Sequence, residues 1–220
     1  MTIVFLDALG TLVRLEPPAP RLQALLAEQG HEVSEEHAAA AFGAEISYYV
    51  EHHLEGSDWE ALDDLRDRCA SILLEALALP ALDHAGARRA MLAALSFQPY
   101  PEVPATLRAL HERGSPLIAV SNWDCSLCWW LEDAGLLGLL DGVVSSGASG
   151  VAKPDPAIFL RALWYAGAEP RDVLHVGDSL DKDVAGARAA HIRPVLLCRD
   201  GDPPAGVDSI ATLAELPSLL

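Results

Sequence analysis

The sequence predicts an α/β fold: a Rossmann-like, mostly parallel sheet covered by helices, with an all-helical cap inserted after the first strand. Three observations carry this. Short apolar, β-rich runs alternate with helical patterns from residue 97 to the end, the rhythm of crossover connections in a parallel sheet. An isolated strand-like run, "TIVFL", opens the chain. Between them, residues 15–96 carry apolar positions that recur every three or four and are rich in alanine and leucine, which is helical. The expected division is a core of residues 1–14 and 97–220 with a cap of 15–96.

Each element follows from its local pattern. "TIVFL" reads as a central strand. "EPPAP", Glu16 to Pro20, breaks the chain, and helices are expected over Arg21–Gln29, Glu35–His53, Trp59–Leu77 and Ala81–Ser96. Ser34 is a candidate helix start, and Ser57 to Glu60 matches a serine-x-x-glutamate capping box. "FQPYPEVP" punctuates the chain. A helix over Val103–Arg113 ends at Gly114, the strand "PLIAVSN" follows, and the helix Ser126–Asp133 closes at Gly135. Then come the strand "GVVSS", the helix "DPAIFLRALWYAG" with Pro156 in its first turn, the strand "DVLHVGDS", the helix "DKDVAGARAAH", the strand "RPVLLCR" and a short terminal helix in "ATLAELPSLL".

Composition narrows the function classes. A net charge of −17 over 220 residues repels a nucleic-acid backbone or an anionic membrane on average. It still allows an anionic small molecule where a metal or a lysine reverses the local field. No apolar run approaches the ~20 residues of a membrane span, and the start lacks the basic segment and longer apolar stretch of a signal peptide, so a cytoplasmic location is expected. The cysteines Cys69, Cys125, Cys128 and Cys198 suggest no disulfide framework. Cys125 and Cys128 form a CxxC without a second pair, so both read as helix residues. A monomer or a homodimer fits this composition equally.

Ligands of open α/β sheets bind beyond the carboxyl ends of the strands, and polar groups gather there. The first strand delivers Asp7, the next Ser121 and Asn122, and a later one Asp178, with Asp181 and Asp183 just after; Lys153 lies in the loop "GVAKPDP". A carboxylate pair holds a hard cation such as Mg²⁺, and a lysine with a hydroxyl holds phosphoryl oxygens as charge develops. Asp7 is then either a metal ligand or a nucleophile that forms an aspartyl-phosphate. Gly10 permits a tight turn, and Thr11 offers a hydroxyl within it.

The segments "DALGT", "VSN", "KPDP" and "GDSLDKD", in this order and spacing, resemble the haloacid dehalogenase-like hydrolase superfamily, in the branch with a helical cap after the first motif. The resemblance spans most of the chain. It implies Asp7 as the nucleophile, Ser121 as the hydroxyl that binds the transferred group, and Lys153 as the cation that neutralises nucleophile and adduct. It implies Mg²⁺ held by Asp7, the backbone carbonyl of residue 9, Asp178 and Asp183, with Asp181 as an alternative to Asp183. Gly10, Thr11, Asn122 and Trp123 are expected to line the substrate site, Trp123 either as a pocket wall or as packing between loop and cap. A small phosphorylated or anionic molecule is the implied substrate.

One residue departs from that pattern. Phosphatases of the superfamily usually carry a second aspartate two places after the nucleophile, where it protonates the leaving oxygen and activates water. This chain has Leu9. A positioned acid–base group contributes roughly 10²–10⁴-fold, so a weak or narrow phosphatase is expected. Two alternatives follow: a metal-free 2-haloacid dehalogenase-like hydrolase, whose halide leaves without a proton, and a catalytically silent binding protein. The dehalogenase reading wants a cap cation, yet no lysine or arginine lies between Arg21 and Arg66. Asp124 is expected to cap the helix near Ser126, His175 to be structural, His52 and His53 to point to different faces, and Tyr48, Tyr49 and Trp59 to contribute to a cap face over the site. Of Trp129 and Trp130, one is expected in the core.

Overall fold

A computed structural model describes residues 2–220. Six strands form one parallel sheet in the order β5-β4-β1-β6-β7-β8: β1 (Ile3–Leu6), β4 (Leu117–Ser121), β5 (Gly142–Ser145), β6 (Val173–Gly177), β7 (Arg193–Leu197) and the short β8 (Ser209–Ile210). The central strands are buried on both faces, which is why they read as continuous apolar runs. On one face α5 (Val103–Glu112) and α6 (Leu127–Asp133) pack through Leu107, Leu110, Leu127 and Leu131 against Val4, Leu6 and Ala119. On the other, following the single turn α7 (Ser146–Ser149) in the chain, α8 (Pro156–Ala166) and α9 (Ala185–Ala189) pack through Ile158, Phe159 and Ala187 against Phe5, Ile118 and Val120. The alternation along β1, Val4 and Leu6 one way and Phe5 the other, is the two-residue period of a strand.

The helical insertion hangs on a stem. β2 (Val13–Leu15) and β3 (Phe97–Pro99) pair antiparallel, Val13 opposite Pro99 and Leu15 opposite Phe97. Between them run α1 (Pro18–Glu28), α2 (Glu35–His52), α3 (Trp59–Leu77) and α4 (His84–Ala94), which bury Leu22, Leu26, Phe42, Leu65, Leu73 and Met91 in a core of their own. Starts are set by side chains that satisfy the first free amides: Ser34 accepts from the His37 N–H, and Asp83 from the Gly86 N–H.

Several local expectations are corrected. Asp58, not Ser57, caps α3, because its carboxylate accepts from both the Glu60 and Ala61 N–H groups at 3.0 Å. α1 begins at Pro18 rather than Arg21, since proline suits a first helical turn, and α4 begins three residues later than expected, behind Asp83. "FQPYPEVP" contains β3, too short to show its period, and the terminal helix is a 3₁₀ turn. "DKDVAGARAAH" opens on a π-helical turn, Leu180–Val184, before α9. No helix among the described residues is long and apolar enough to cross a membrane.

Candidate active site

The register of the sheet gathers the polar residues. Leu6 lies level with Ala119 of β4 and Val176 of β6, so the next residue, Asp7, stands level with Val120 and Gly177. Ser121 and Asp178 therefore flank it one step further out, at the sheet centre where the chain's direction of travel reverses. The Asp7 N–H donates to the Val176 carbonyl at 2.9 Å, which fixes its backbone.

Asp7 is buried, and its Oδ1 accepts from Ser121 Oγ at 2.8 Å and from Lys153 Nζ at 2.6 Å. The same ammonium donates to Asp183 Oδ1 at 2.5 Å. His175 Nε2 donates to that oxygen at 2.9 Å, and the Ser179 N–H to Asp183 Oδ2 at 3.0 Å. One lysine thus bridges two buried carboxylates. Ligand oxygens of Asp7, Asp178 and Asp183 all lie within 4.8 Å of one another; Asp181 stays outside this group.

Backbone supports the cluster at two glycines. Gly10 has φ +86° and sits against Asp178, where a Cβ would overlap that carboxylate; both facts demand glycine. Gly177 likewise has no room for a Cβ beside Asp183. In the turn after β1, the amides of Thr11, Leu12 and Val13 converge on the Ala8 carbonyl, which leaves the Leu9 carbonyl outside that set. The lysine loop is held by Asn122, whose Oδ1 accepts from the Lys153 N–H at 2.7 Å and whose Nδ2 donates to the Lys153 carbonyl at 2.9 Å.

The charges act on one another. Burial raises the Asp7 carboxyl above its ordinary range, against the pull of Lys153 and Ser121. Burial would raise Asp183 too, but the Lys153 ammonium and the His175 hydrogen bond hold it well below. Desolvation disfavours the Lys153 ammonium, and the two carboxylates more than offset it, so its pKa rises and it stays charged. Asp178 is pushed up to about 6 by lost hydration and then by repulsion from Asp7 and Asp183. Among the described residues no salt bridge reaches Asp178, because the lysine is engaged by the other two. Three close oxygen donors with one unneutralised carboxylate suit a hard divalent cation.

Above the cluster, between insertion and sheet, lies a cavity of about 210 Å³. Leu9, Asn122 and Trp123 line it from the sheet side, and Glu45, Tyr49 and Arg66 from the insertion. Leu9 is 45% exposed, so its side chain faces this space rather than the core. The insertion is tied down beside it: Tyr49 OH donates to Asp124 Oδ2 at 2.8 Å, and the Cys125 N–H to the Gly56 carbonyl at 2.8 Å.

Most expected site residues converge, in differing ways. Asp7, Ser121, Lys153, Asp178 and Asp183 meet in one cluster, with Gly10 in contact. Asn122 spends its amide on the Lys153 backbone. Trp123 both lines the cavity and packs edge-on against Phe97 at 4.7 Å. Thr11 is fully buried, and among the described residues its hydroxyl has no hydrogen-bond partner. Tyr49 faces the cavity, whereas Tyr48 stacks on His52 and Trp59 is largely exposed. Asp124 accepts from the Ser126 N–H at 2.7 Å just before α6. Trp130 is in the core and Trp129 half exposed. Sequence reasoning missed two residues. Arg199 donates to the Gly10 and Thr11 carbonyls and to Glu102, bracing the turn after β1. Glu45 falls on the buried stripe Ala38, Ala41, Phe42, Glu45 of α2, a helical spacing that marks it as inward-facing.

Comparison with known proteins agrees with this fold. A family model described as haloacid dehalogenase-like hydrolase matches residues 1–191. The Bos taurus haloacid dehalogenase-like hydrolase domain-containing protein 3 is 44% identical over 117 residues, 52% of this chain and 46% of that protein. The glyceraldehyde 3-phosphate phosphatase of Methanopyrus kandleri is 39% identical over 103 residues, 46% of this chain and 44% of that protein. The aligned stretches thus span about half the length of these curated relatives. The L-2-haloacid dehalogenase of Xanthobacter autotrophicus superposes with a TM-score of 0.73 at 20% identity, covering 100% of this chain and 98% of that one, a likeness of fold alone.

Proposed function

Since the chain belongs to the haloacid dehalogenase-like hydrolase family, we propose that it hydrolyses a small phosphate monoester through an aspartyl-phosphate on Asp7, in the cytoplasm. The observation that carries this is the Asp7 carboxylate, buried and hydrogen-bonded to Ser121 and Lys153 at the open end of the sheet. An Asp7 oxygen attacks phosphorus, the bond from phosphorus to the ester oxygen breaks, and the alkoxide or phenoxide departs and takes a proton from water. Water then attacks the phosphorus of the adduct, releasing phosphate and restoring Asp7. The Ser121 hydroxyl and Lys153 ammonium hold the phosphoryl oxygens as negative charge gathers on them.

The oxygen donors fit Mg²⁺. Asp7, Asp178 and the Leu9 carbonyl would hold it. Asp183 already accepts three hydrogen bonds of the roughly four a carboxylate can take, which favours contact through water. The ion supplies charge neutralisation that lets an anionic phosphate approach three carboxylates. Leu9 offers the leaving group no proton, so esters of acidic alcohols are the better substrates. Turnover of 4-nitrophenyl phosphate tests the reading: it should require Mg²⁺ and vanish in Asp7→Asn. Activity no higher than that of Asp7→Asn ends it.

A second reading has one observation in its favour. Arg66 lines the cavity above the cluster, so the fold supplies from α3 a cation that could meet the carboxylate of a 2-haloacid. Metal-independent chloride release from 2-chloropropionate would promote dehalogenation over phosphate hydrolysis.

A further inference from the structure

The cavity between insertion and sheet is walled mainly by hydrocarbon, including Leu62, Met91, Leu92, Phe97 and Trp123. Two buried carboxyls interrupt that wall: Asp124, which already accepts from Tyr49 OH and from the N–H and hydroxyl of Ser126, and Glu45. Glu45 is only 6% exposed, and it lies near the thiol of Cys69, at best a weak donor. Burial pushes its carboxyl up to about 7. An apolar residue would continue the stripe of α2 at lower cost. A buried carboxyl with acceptor capacity to spare, aimed into an apolar space beside a phosphoryl-binding cluster, is arranged to receive a donor carried by a ligand.

Size and polarity narrow that ligand. An apolar cavity of about 150 Å³ accepts benzene, and this one is about 210 Å³. A body rich in hydroxyls would leave most of them against hydrocarbon without partners. We propose that the cavity holds the organic part of the substrate, and that this part is an apolar, ring-sized body bearing one N–H or O–H donor that hydrogen-bonds to Glu45. The phosphate end of this assignment rests on the function proposed above; the pocket itself does not.

Phosphonates, which are not hydrolysed, separate the two. Binding to the full chain in Mg²⁺ is measured by calorimetry for methylphosphonate, benzylphosphonate, 4-methylbenzylphosphonate and 4-(aminomethyl)benzylphosphonate. The ring should tighten binding by about tenfold or more over methyl, and the aminomethyl group by a further several-fold over the 4-methyl compound. Glu45→Leu, which keeps an apolar side chain of similar bulk, should erase the second gain and keep the first. Leu92→Trp, which fills the space, should erase the first. Equal affinity for methyl and benzyl compounds, no binding of the ring compounds, or an amine preference that survives Glu45→Leu overturns the proposal. Acetyl phosphate, which has no ring, is assayed in parallel. Turnover of it without a ring preference sinks the pocket and spares the phosphatase reading; ring binding without turnover does the reverse.

Discussion

The two ends of the site are built on opposite principles. At the sheet, Asp7, Ser121, Lys153 and Asp183 crowd into one hydrogen-bonded cluster with Asp178 close beside it, placed by strand ends, by a clamped loop and by the helical turn Leu180–Val184. In the insertion, helices present side chains from α2, α3 and α4 to a cavity that is mainly hydrocarbon, and Glu45 is the buried carboxyl they contribute to it. At the sheet Asp7 and Asp183 share one lysine at fixed distance; the carboxyl in the insertion has a thiol near it. The contrast teaches that reactive and selective parts answer to different physics. Chemistry needs preorganised charge, while selection needs shape, dryness and one or two polar anchors.

The largest effect should come from breaking the charged end. Lys153→Met removes the ammonium that bridges two buried carboxylates, and stranding buried charge costs about 3–5 kcal/mol. Denaturant melts should show a loss of this order near neutral pH, and phosphatase activity should fall with it. A variant as stable as the parent would mean that Asp7 and Asp183 are not jointly ionised.

Leu9→Asp adds to the charged end what the cavity side lacks. A carboxyl there should raise turnover of alkyl phosphates by roughly 10²–10⁴-fold while changing aryl phosphates far less, because phenoxides need little protonation. Steady-state kinetics on the two ester classes reads this directly. An equal change for both would show that the leucine is not the missing proton donor.

Glu45→Gln tests the other end through pH. The Glu45 carboxyl rises from 4.5 to about 7 in the folded chain because it is buried. Below pH 4.5 both folded and unfolded states hold its proton; between there and about 7 only the folded state does. Stability should therefore be full at low pH and decline by about 1.4 kcal/mol per pH unit across that window, roughly 3 kcal/mol in all. Urea midpoints at pH 5 and 8 should show this extra decline in the parent and not in Glu45→Gln. Parallel curves would place the carboxyl in water.

The smallest effect should come from Tyr49→Phe, which deletes the hydroxyl joining the insertion to Asp124. A hydrogen bond to a charged group contributes about 1.5–3 kcal/mol. Part of this should appear as a severalfold rise in KM with little change in kcat, if the contact holds the cavity closed over its ligand. A change in kcat alone would assign Tyr49 to the chemistry instead.

The same contrast explains what could be read from sequence. Strand ends advertise themselves: an apolar run that stops on Asp7, Ser121 or Asp178 puts the polar group at the sheet edge, and parallel register does the rest. Gly10 and Gly177 sit where carboxylates press against the backbone. Cavity residues carry no such mark, since Leu62, Met91 and Leu92 look like any helical core. Glu45 was legible in principle from its place on the α2 stripe, but a single carboxylate in an acidic chain passes for surface. Arg199 acts across 189 residues on Gly10, a separation that no local pattern reveals. β3 and β8 span three and two residues, too few for a period, and Asp58 won the α3 cap over Ser57 because its carboxylate reaches two amides.

The most direct measurement follows residue 7 itself. During steady turnover of an aryl phosphate with Mg²⁺, borohydride should reduce an aspartyl-phosphate to a primary alcohol, and peptide mass spectrometry should find that change at Asp7 and at no other carboxylate. Phosphate release that proceeds while Asp7 remains an unmodified carboxylate would contradict the account.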